Sequence, residues 1–362
     1  MRALHLPIRE EVLAALTRVV DSNAFILGED VKLLEKSLAA YCHAAYAVGC
    51  GSGSDALLLA MMTAGVRPGD AVLTTPFTFF ATAGSIALAG ATPVFVDIDP
   101  LTYNMDPLAL ADTLRHTPRA RAVIPVHLYG GCADMDPILE IARERGCTVI
   151  EDGAQSIGAE YKGRRAQSLA ELGCLSFYPT KNLGAFGEGG MVLTSDEQYA
   201  RKLAALRVHG ALKKYYHEWV GLNSRLDSLQ AAVLRVKLPY LDAETVGRQK
   251  NADRYCANLD GLPLSLPEPA PYQTRHIYNQ FVIRAPRRGQ LKAFLEENGV
   301  GTDIYYPVPL HLQECFRDLG YRVGDFPISE RAARDVLALP IHSALSEEDV
   351  DYVSHQIRAF YS

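Results

Sequence analysis

Hydrophobic positions change period repeatedly along the first 240 residues of this 362-residue chain. Val31, Leu34, Leu38 and Tyr41 recur at helical spacing and predict an amphipathic helix. Residues 56–62 read as a buried helix that Gly65 ends. Short apolar runs at 71–74, 93–97, 122–127 and 147–152 predict strands, the last with two carboxylates at its C-terminal end. Helices are expected at 78–89, closed by Gly90, and at 136–145, stopped by Gly146. Such alternation predicts an α/β fold around a mostly parallel sheet. A helix apolar on one face follows at 225–238, and a long polar helix at 244–259. Pro263, Pro267, Pro269 and Pro271 mark a break. Beyond it come a strand at 277–283, a helix at 290–298, a Pro-rich loop at 305–311 and two more helices. The expected division is a large domain over 1–240 and a small α+β domain over 241–362, both of ordinary size.

Composition narrows the function classes. A content of 48% hydrophobic and 22% charged residues is a globular balance. A net charge of −6 gives no electrostatic footprint for nucleic acid or anionic membrane. No apolar run reaches bilayer-spanning length, and residues 1–11 lack the apolar core of a secretory signal. The seven cysteines are odd in number, scattered and without a Cys-x-x-Cys pair. That pattern predicts a reducing compartment, no disulfide framework and no metal site. The expectation is a soluble cytoplasmic protein.

Three stretches carry candidate chemistry. Gly51-Ser-Gly-Ser54 follows a strand-like segment and opens a helix, where free N–H groups and the helix dipole bind phosphate. Small polar residues there serve equally as a plain N-cap. Asp152 ends an apolar strand and should face the crevice beyond the sheet, or else cap a helix. Lys181 is the one positive charge in the run from Ser176 to Gly190, followed by four glycines. A desolvated amine has a lowered pKa and attacks carbonyls. A phosphate cradle, a strand-end carboxylate and an activatable lysine together suit pyridoxal phosphate. Phe77, Phe79 and Phe80 can supply a ring to stack on it.

The chain resembles the DegT/DnrJ/EryC1/StrS family of pyridoxal-phosphate sugar aminotransferases, within fold type I. The stretches that carry the resemblance are Phe25-Ile-Leu-Gly28, Gly51-Ser-Gly-Ser-Asp-Ala-Leu57, Pro76-Phe-Thr-Phe-Phe-Ala-Thr82 and Pro125-Val-His-Leu-Tyr-Gly130. Glu151-Asp-Gly-Ala-Gln155, Ser176-Phe-Tyr-Pro-Thr-Lys-Asn-Leu-Gly184, Asn223-Ser-Arg-Leu-Asp227 and Tyr306-Pro-Val-Pro-Leu-His311 complete the set. They run in family order over nearly the whole chain. The resemblance implies a large domain with a seven-stranded, mostly parallel sheet and a small C-terminal α+β domain. It implies that Lys181 forms the Schiff base and shuttles protons, and that Asp152 pairs with the pyridine nitrogen. Gln155 lies by the phenolic oxygen, and Phe79 fills the stacking position. Gly53, Ser54 and Ser176 hold the phosphate, joined by Asn223 from the partner subunit of a homodimer with shared sites. Tyr305, Tyr306, His311 and the partner's Arg225 are expected on the substrate side.

The implied reaction moves an amino group, with L-glutamate as donor, to a nucleotide-linked keto sugar. The runs 130–136 and 215–223 look like the branch acting on 3-keto sugars, with 4-keto sugars the alternative. Related dehydratases carry histidine at the lysine position, so Lys181 speaks against that activity. A non-catalytic regulator of the same fold would be expected to lose the lysine or gain a basic segment. Tyr305 stands where many relatives have histidine, and Ser54 where many have threonine.

Overall fold

Strand-forming runs in the first two hundred residues assemble into one seven-stranded sheet. The computed structural model describes residues 2–362. Helices α1 (Arg9–Ser22) and α2 (Glu29–Tyr41) precede strand β1 (Tyr46–Cys50) and helix α3 (Gly53–Thr63). Then come β2 (Ala71–Thr74), α4 (Ala81–Leu88), β3 (Thr92–Phe95), α5 (Pro107–Arg115), β4 (Ala120–Ile124) and α6 (Met135–Glu144). The sheet is completed by β5 (Thr148–Asp152), β6 (Leu172–Ser176) and β7 (Gly190–Thr194), and α7 (Glu197–Leu206) follows. In space the strands run β1-β7-β6-β5-β4-β2-β3. Only β7 is antiparallel to its neighbours, pairing with both β1 and β6. Helix-connected parallel strands are buried on both faces, hence their continuous apolar composition. One core lies between the sheet and α3, α4 and α7, and a second between the sheet and α5 and α6.

An exposed hairpin, β8 (Ala211–Lys213) with β9 (Tyr216–His217), leads to α8 (Ser228–Lys237). Helix α9 (Leu241–Leu259) carries the chain onward to β10 (Phe281–Arg284) and α10 (Arg288–Glu297). The chain ends with α11 (Pro327–Asp335), β11 (Val336–Leu339) and α12 (Glu347–Tyr361). β10 and β11 form an antiparallel pair over a third core, where Tyr255 of α9 stacks on Phe281 with ring centroids 5.0 Å apart.

Several boundaries differ from those read off the periodicity. α4 starts at Ala81 rather than 78, because Pro76 to Phe80 stay in a loop and the Pro76 carbonyl accepts the Leu310 N–H at 2.7 Å. β10 starts at Phe281 rather than 277, since Ile277 N–H is used by the Gly130 carbonyl. Helices α5 and α7 escape the periodicity reading. Both start at aspartate caps, Asp106 before Pro107 and Asp196, which accepts the N–H groups of Gln198 and Tyr199. No helix among the described residues is long and apolar enough to cross a membrane. All seven cysteines are free thiols.

Candidate active site

Neighbouring parallel strands end on the same edge of a sheet, and ligands of open α/β sheets bind beyond that edge. β4, β5 and β6 are such neighbours, and β5 delivers Glu151 and Asp152 to the edge. Successive side chains on a strand point to opposite faces, so the two carboxylates part company. Glu151 is fully buried and saturated: it accepts the N–H groups of Gln167, Leu169 and Ala170 at 2.7–2.8 Å and meets His127 Nε2 at 2.9 Å. It holds the loop before β6. Asp152 alone is left to the crevice, 5% exposed. Its Oδ2 accepts the Thr82 hydroxyl at 2.7 Å and its Oδ1 the Ala154 N–H at 3.2 Å. Both donors are neutral. A buried carboxylate with only neutral donors attracts a cation.

The turn expected to cradle a phosphate is the start of α3. Ser52 caps the helix by accepting the Asp55 N–H at 3.1 Å, which leaves the amides of Gly53 and Ser54 facing out of the positive end. Ser176, at the end of β6, stands against this turn. A Cβ on Gly53 would lie 2.6 Å from the Ser176 Cβ, so only glycine lets the strand end and the helix start meet.

Between cradle and carboxylate lies the loop from β6 to β7. Phe177, Leu183 and Ala185 sink into the core, and Phe177 N–H bonds the Gly189 carbonyl at 2.8 Å. Lys181 is half-buried on the rim of this loop and lines a cavity of about 250 Å³. Burial lowers its ammonium pKa to about 8, against an opposing pull from the Asp152 charge. Gln155 donates from Nε2 to the Tyr306 hydroxyl at 2.9 Å and accepts the Tyr129 N–H at 2.8 Å. The Phe79 ring, 57% exposed, stands 6.2 Å from the Tyr306 ring on the open side. Tyr305 lines the Lys181 cavity, and its carbonyl accepts the Tyr129 hydroxyl. Lys181, Tyr305, Tyr306, Gln155 and Asp152 thus form one region, with Gly53, Ser54 and Ser176 beside it.

Other expected site residues fall elsewhere. His311 is corrected: it is 1% exposed, packed on Phe326 at 4.7 Å between ring centroids and bonded to Glu330 at 3.3 Å. That aromatic cluster surrounds the imidazole, and burial lowers its pKa, so no sugar reaches it. Asn223 is exposed and Arg225 half-buried, and among the described residues neither side chain has a hydrogen-bond partner. Ser224, between them, ties the segment to the foot of α3 by donating to Asp55 at 2.8 Å and accepting the Gly51 N–H at 3.0 Å.

Two residues of the region were not singled out from sequence. Thr82 lies inside the Pro76–Thr82 stretch, where its register with the phenylalanines is the only signal. Arg248 looks like one more charge on a polar helix, and nothing local distinguishes it.

The model of the DegT/DnrJ/EryC1/StrS aminotransferase family matches residues 7–358. The chain is 50% identical to a pleiotropic regulatory protein of Geobacillus stearothermophilus, over 98% of this chain and 95% of that one. It is 43% identical to the UDP-N-acetyl-3-dehydro-alpha-D-glucosamine 3-aminotransferase of Acidithiobacillus ferrooxidans, over 99% and 96%. The crystal structure of S. venezuelae DesV superposes with a TM-score of 0.97 at 41% identity, covering 100% of this chain and 97% of that one.

Proposed function

The chain belongs to the DegT/DnrJ/EryC1/StrS aminotransferase family, and from that membership we propose that it carries an amino group from L-glutamate to the 3-keto group of a nucleotide-linked hexose. The reading rests above all on the convergence of Lys181, whose pKa is lowered to about 8, with Asp152 and the Gly53–Ser54 turn at one sheet edge. The cofactor is pyridoxal 5′-phosphate. When bound, it supplies the electron sink through which an amino acid exchanges its nitrogen for a carbonyl oxygen.

The residues fit that group. The buried Asp152 carboxylate, with neutral donors only, suits a protonated pyridine nitrogen. Gly53, Ser54 and Ser176 present amides and hydroxyls to a phosphate. Phe79 would cover one ring face of the bound group, and Gln155 would stand by its phenolic oxygen. Lys181, with a pKa lowered to about 8, would take the proton from the donor's Cα in one half-reaction and deliver one to the aminated sugar carbon in the other. Tyr305 and Tyr306 offer hydroxyls to the sugar.

The remainder of the reading concerns assembly and setting. The large domain covers 1–240 and the small domain 241–362. The protein acts in the cytoplasm as a homodimer in which Asn223 and Arg225 reach the second copy's site, which accounts for their side chains' lack of hydrogen-bond partners among the described residues. Arg225 provides a bidentate fork for a phosphate or carboxylate of the sugar nucleotide.

The name of the Geobacillus relative raises a second reading, a regulator on the same fold. Lys181, Asp152 and the cradle are all in place here, and a protein that only senses has no need of a proton-shuttling lysine. Spectral titration of the holoenzyme decides. Glutamate is expected to shift the cofactor absorbance, and a nucleotide-linked 3-keto sugar to reverse the shift faster than its 4-keto counterpart. A response to free keto acids with none to any sugar nucleotide overturns the acceptor assignment, and no response to glutamate favours the regulator.

Two variants test the assembly. Arg225→Ala is expected to raise KM for the sugar nucleotide about tenfold or more, the worth of one lost charge-assisted contact, with the glutamate half-reaction nearly intact. Mixed dimers of inactive Lys181→Ala and inactive Asn223→Ala subunits are expected to regain activity, one intact site per heterodimer. Proven subunit exchange without regain counts against shared sites.

A further inference from the structure

Between the hairpin β8–β9 and helix α8 the chain runs extended, with β-bridges at Asn223 and Asp227. Successive side chains of an extended segment point in opposite directions. Ser224, Leu226 and Ser228 are buried, at 2%, 1% and 1% exposure, while Asn223 and Asp227 are exposed and Arg225 is half-buried. Burying Ser224 therefore turns the residues on either side of it the other way.

The contacts that bury Ser224 all lead to one place. Its hydroxyl donates to Asp55 Oδ2 at 2.8 Å and accepts the Gly51 N–H at 3.0 Å, and its own N–H bonds the Arg207 carbonyl at 3.0 Å. Both hydroxyl partners belong to the turn that opens α3. Arg207 is fixed to the strand that feeds this turn. Its Nη1 donates to the Gly49 carbonyl at 2.8 Å and to Glu35 Oε1 at 2.5 Å, and the same oxygen accepts the Gly49 N–H at 2.8 Å. Asp55 is an unfavourable neighbour for an anion: it sets a carboxylate in the first turn of the helix expected to take the phosphate, where like charges repel. Among the described residues its side chain has one hydrogen-bond partner, Ser224.

We propose that Ser224, gripped by Asp55, is the positioning residue for Asn223 and Arg225, so that each subunit's phosphate turn holds out the arm that completes the other subunit's site. The inference rests on the shared-site homodimer read above. In this role Ser224 touches no ligand and acts only through its two neighbours.

The test uses mixed dimers, isolated through two affinity tags, with Lys181 in one chain and Lys181→Ala in the other. One site alone can then bond the cofactor covalently, and it takes its lysine from one chain and its arm from the other. Ser224→Ala is placed either in the Lys181→Ala chain, which lends the arm, or in the lysine-bearing chain. Cofactor-free mixed dimers are titrated with pyridoxal 5′-phosphate, and the absorbance of the lysine–cofactor bond is followed. With the substitution in the arm-lending chain, half-saturation is expected to need about five- to tenfold more cofactor, the worth of one buried hydrogen bond. In the lysine-bearing chain the shift is expected to be much smaller. Equal shifts from the two placements, a larger one from the lysine-bearing chain, or none from either overturn the proposal, since a serine that merely stabilises the fold harms its own subunit's turn first. Should Ser224→Ala not fold, Asp55→Ala decides by the same two placements, with the loss again expected in the arm-lending chain. Asn223→Ala in the arm-lending chain is the control. If it leaves the titration unchanged, the shared-site reading fails and takes this inference with it. If it shifts the titration and Ser224→Ala there does not, this inference alone fails.

Discussion

Lys181→Ala is expected to abolish turnover, by about four orders of magnitude or more, because general acid–base catalysis and the nucleophile are lost together. The variant should also leave no borohydride-fixable bond between protein and cofactor, which mass spectrometry of the intact chain reads directly. Cofactor still fixed by borohydride in Lys181→Ala would falsify the assignment. The lysine leaves a second mark on the cofactor-free protein. Its pKa is about 8 in the folded chain and near 10.5 in the unfolded one. The unfolded chain therefore binds more protons between these values, so stability rises with pH through that window. Below pH 8 the full cost of the desolvated charge is present; above about 10.5 it is gone. At 1.36 kcal/mol per pKa unit that cost is roughly 3 kcal/mol. Cofactor-free Lys181→Met is thus expected to be more stable than wild type at pH 7, with the gap closing near pH 10. Urea unfolding at the two pH values checks it, and a gap that widens with pH reverses the sign.

Asp152→Asn is the second large effect. The substitution keeps the shape and removes the charge that, in the proposed role, would face the cofactor's cationic nitrogen. Breaking one side of a buried ion pair costs about 3–5 kcal/mol, so cofactor affinity is expected to fall by two to three orders of magnitude, and turnover with it. Thr82→Val gives the graded version. It strips the 2.7 Å hydroxyl from Asp152 Oδ2 and keeps the carboxylate, for a loss of about 1–3 kcal/mol. Fluorescence titration of the apoprotein with cofactor separates the two. Near-wild-type retention in Asp152→Asn removes the aspartate from its role, and equal losses in both variants assign the effect to packing.

Much of this architecture follows from short-range chemistry. The apolar runs at 71–74 and 147–152 are short and bounded by turn residues, which favours strand over helix, and the glycines at 65, 90 and 146 end helices with a positive φ. Gly53 could be named as a cradle residue because a helix start needs a cap and a close approach needs no Cβ. Lys181 stood out through isolation: a single cation among small and aromatic neighbours already carries the promise of desolvation.

Other features depended on residues distant in the chain. Glu151 and Asp152 are indistinguishable as letters. The pleat sends them to opposite faces, and which face is the crevice depends on where α4 brings Thr82. His311 belongs to a stretch that matches the family, yet Phe326 and Glu330 enclose it, because an imidazole beside a buried aromatic cluster is drawn into that cluster. Arg248 is one charge on a polar helix until the turns at Tyr278 and Ile341 fold over it and leave it facing the lysine's cavity. Sequence alone marked many of the helices and strands and singled out one isolated lysine, since those depend on neighbours within a few positions. Tertiary structure alone decided which charges lose their water and what faces them, because desolvation is set by packing between segments far apart in the chain.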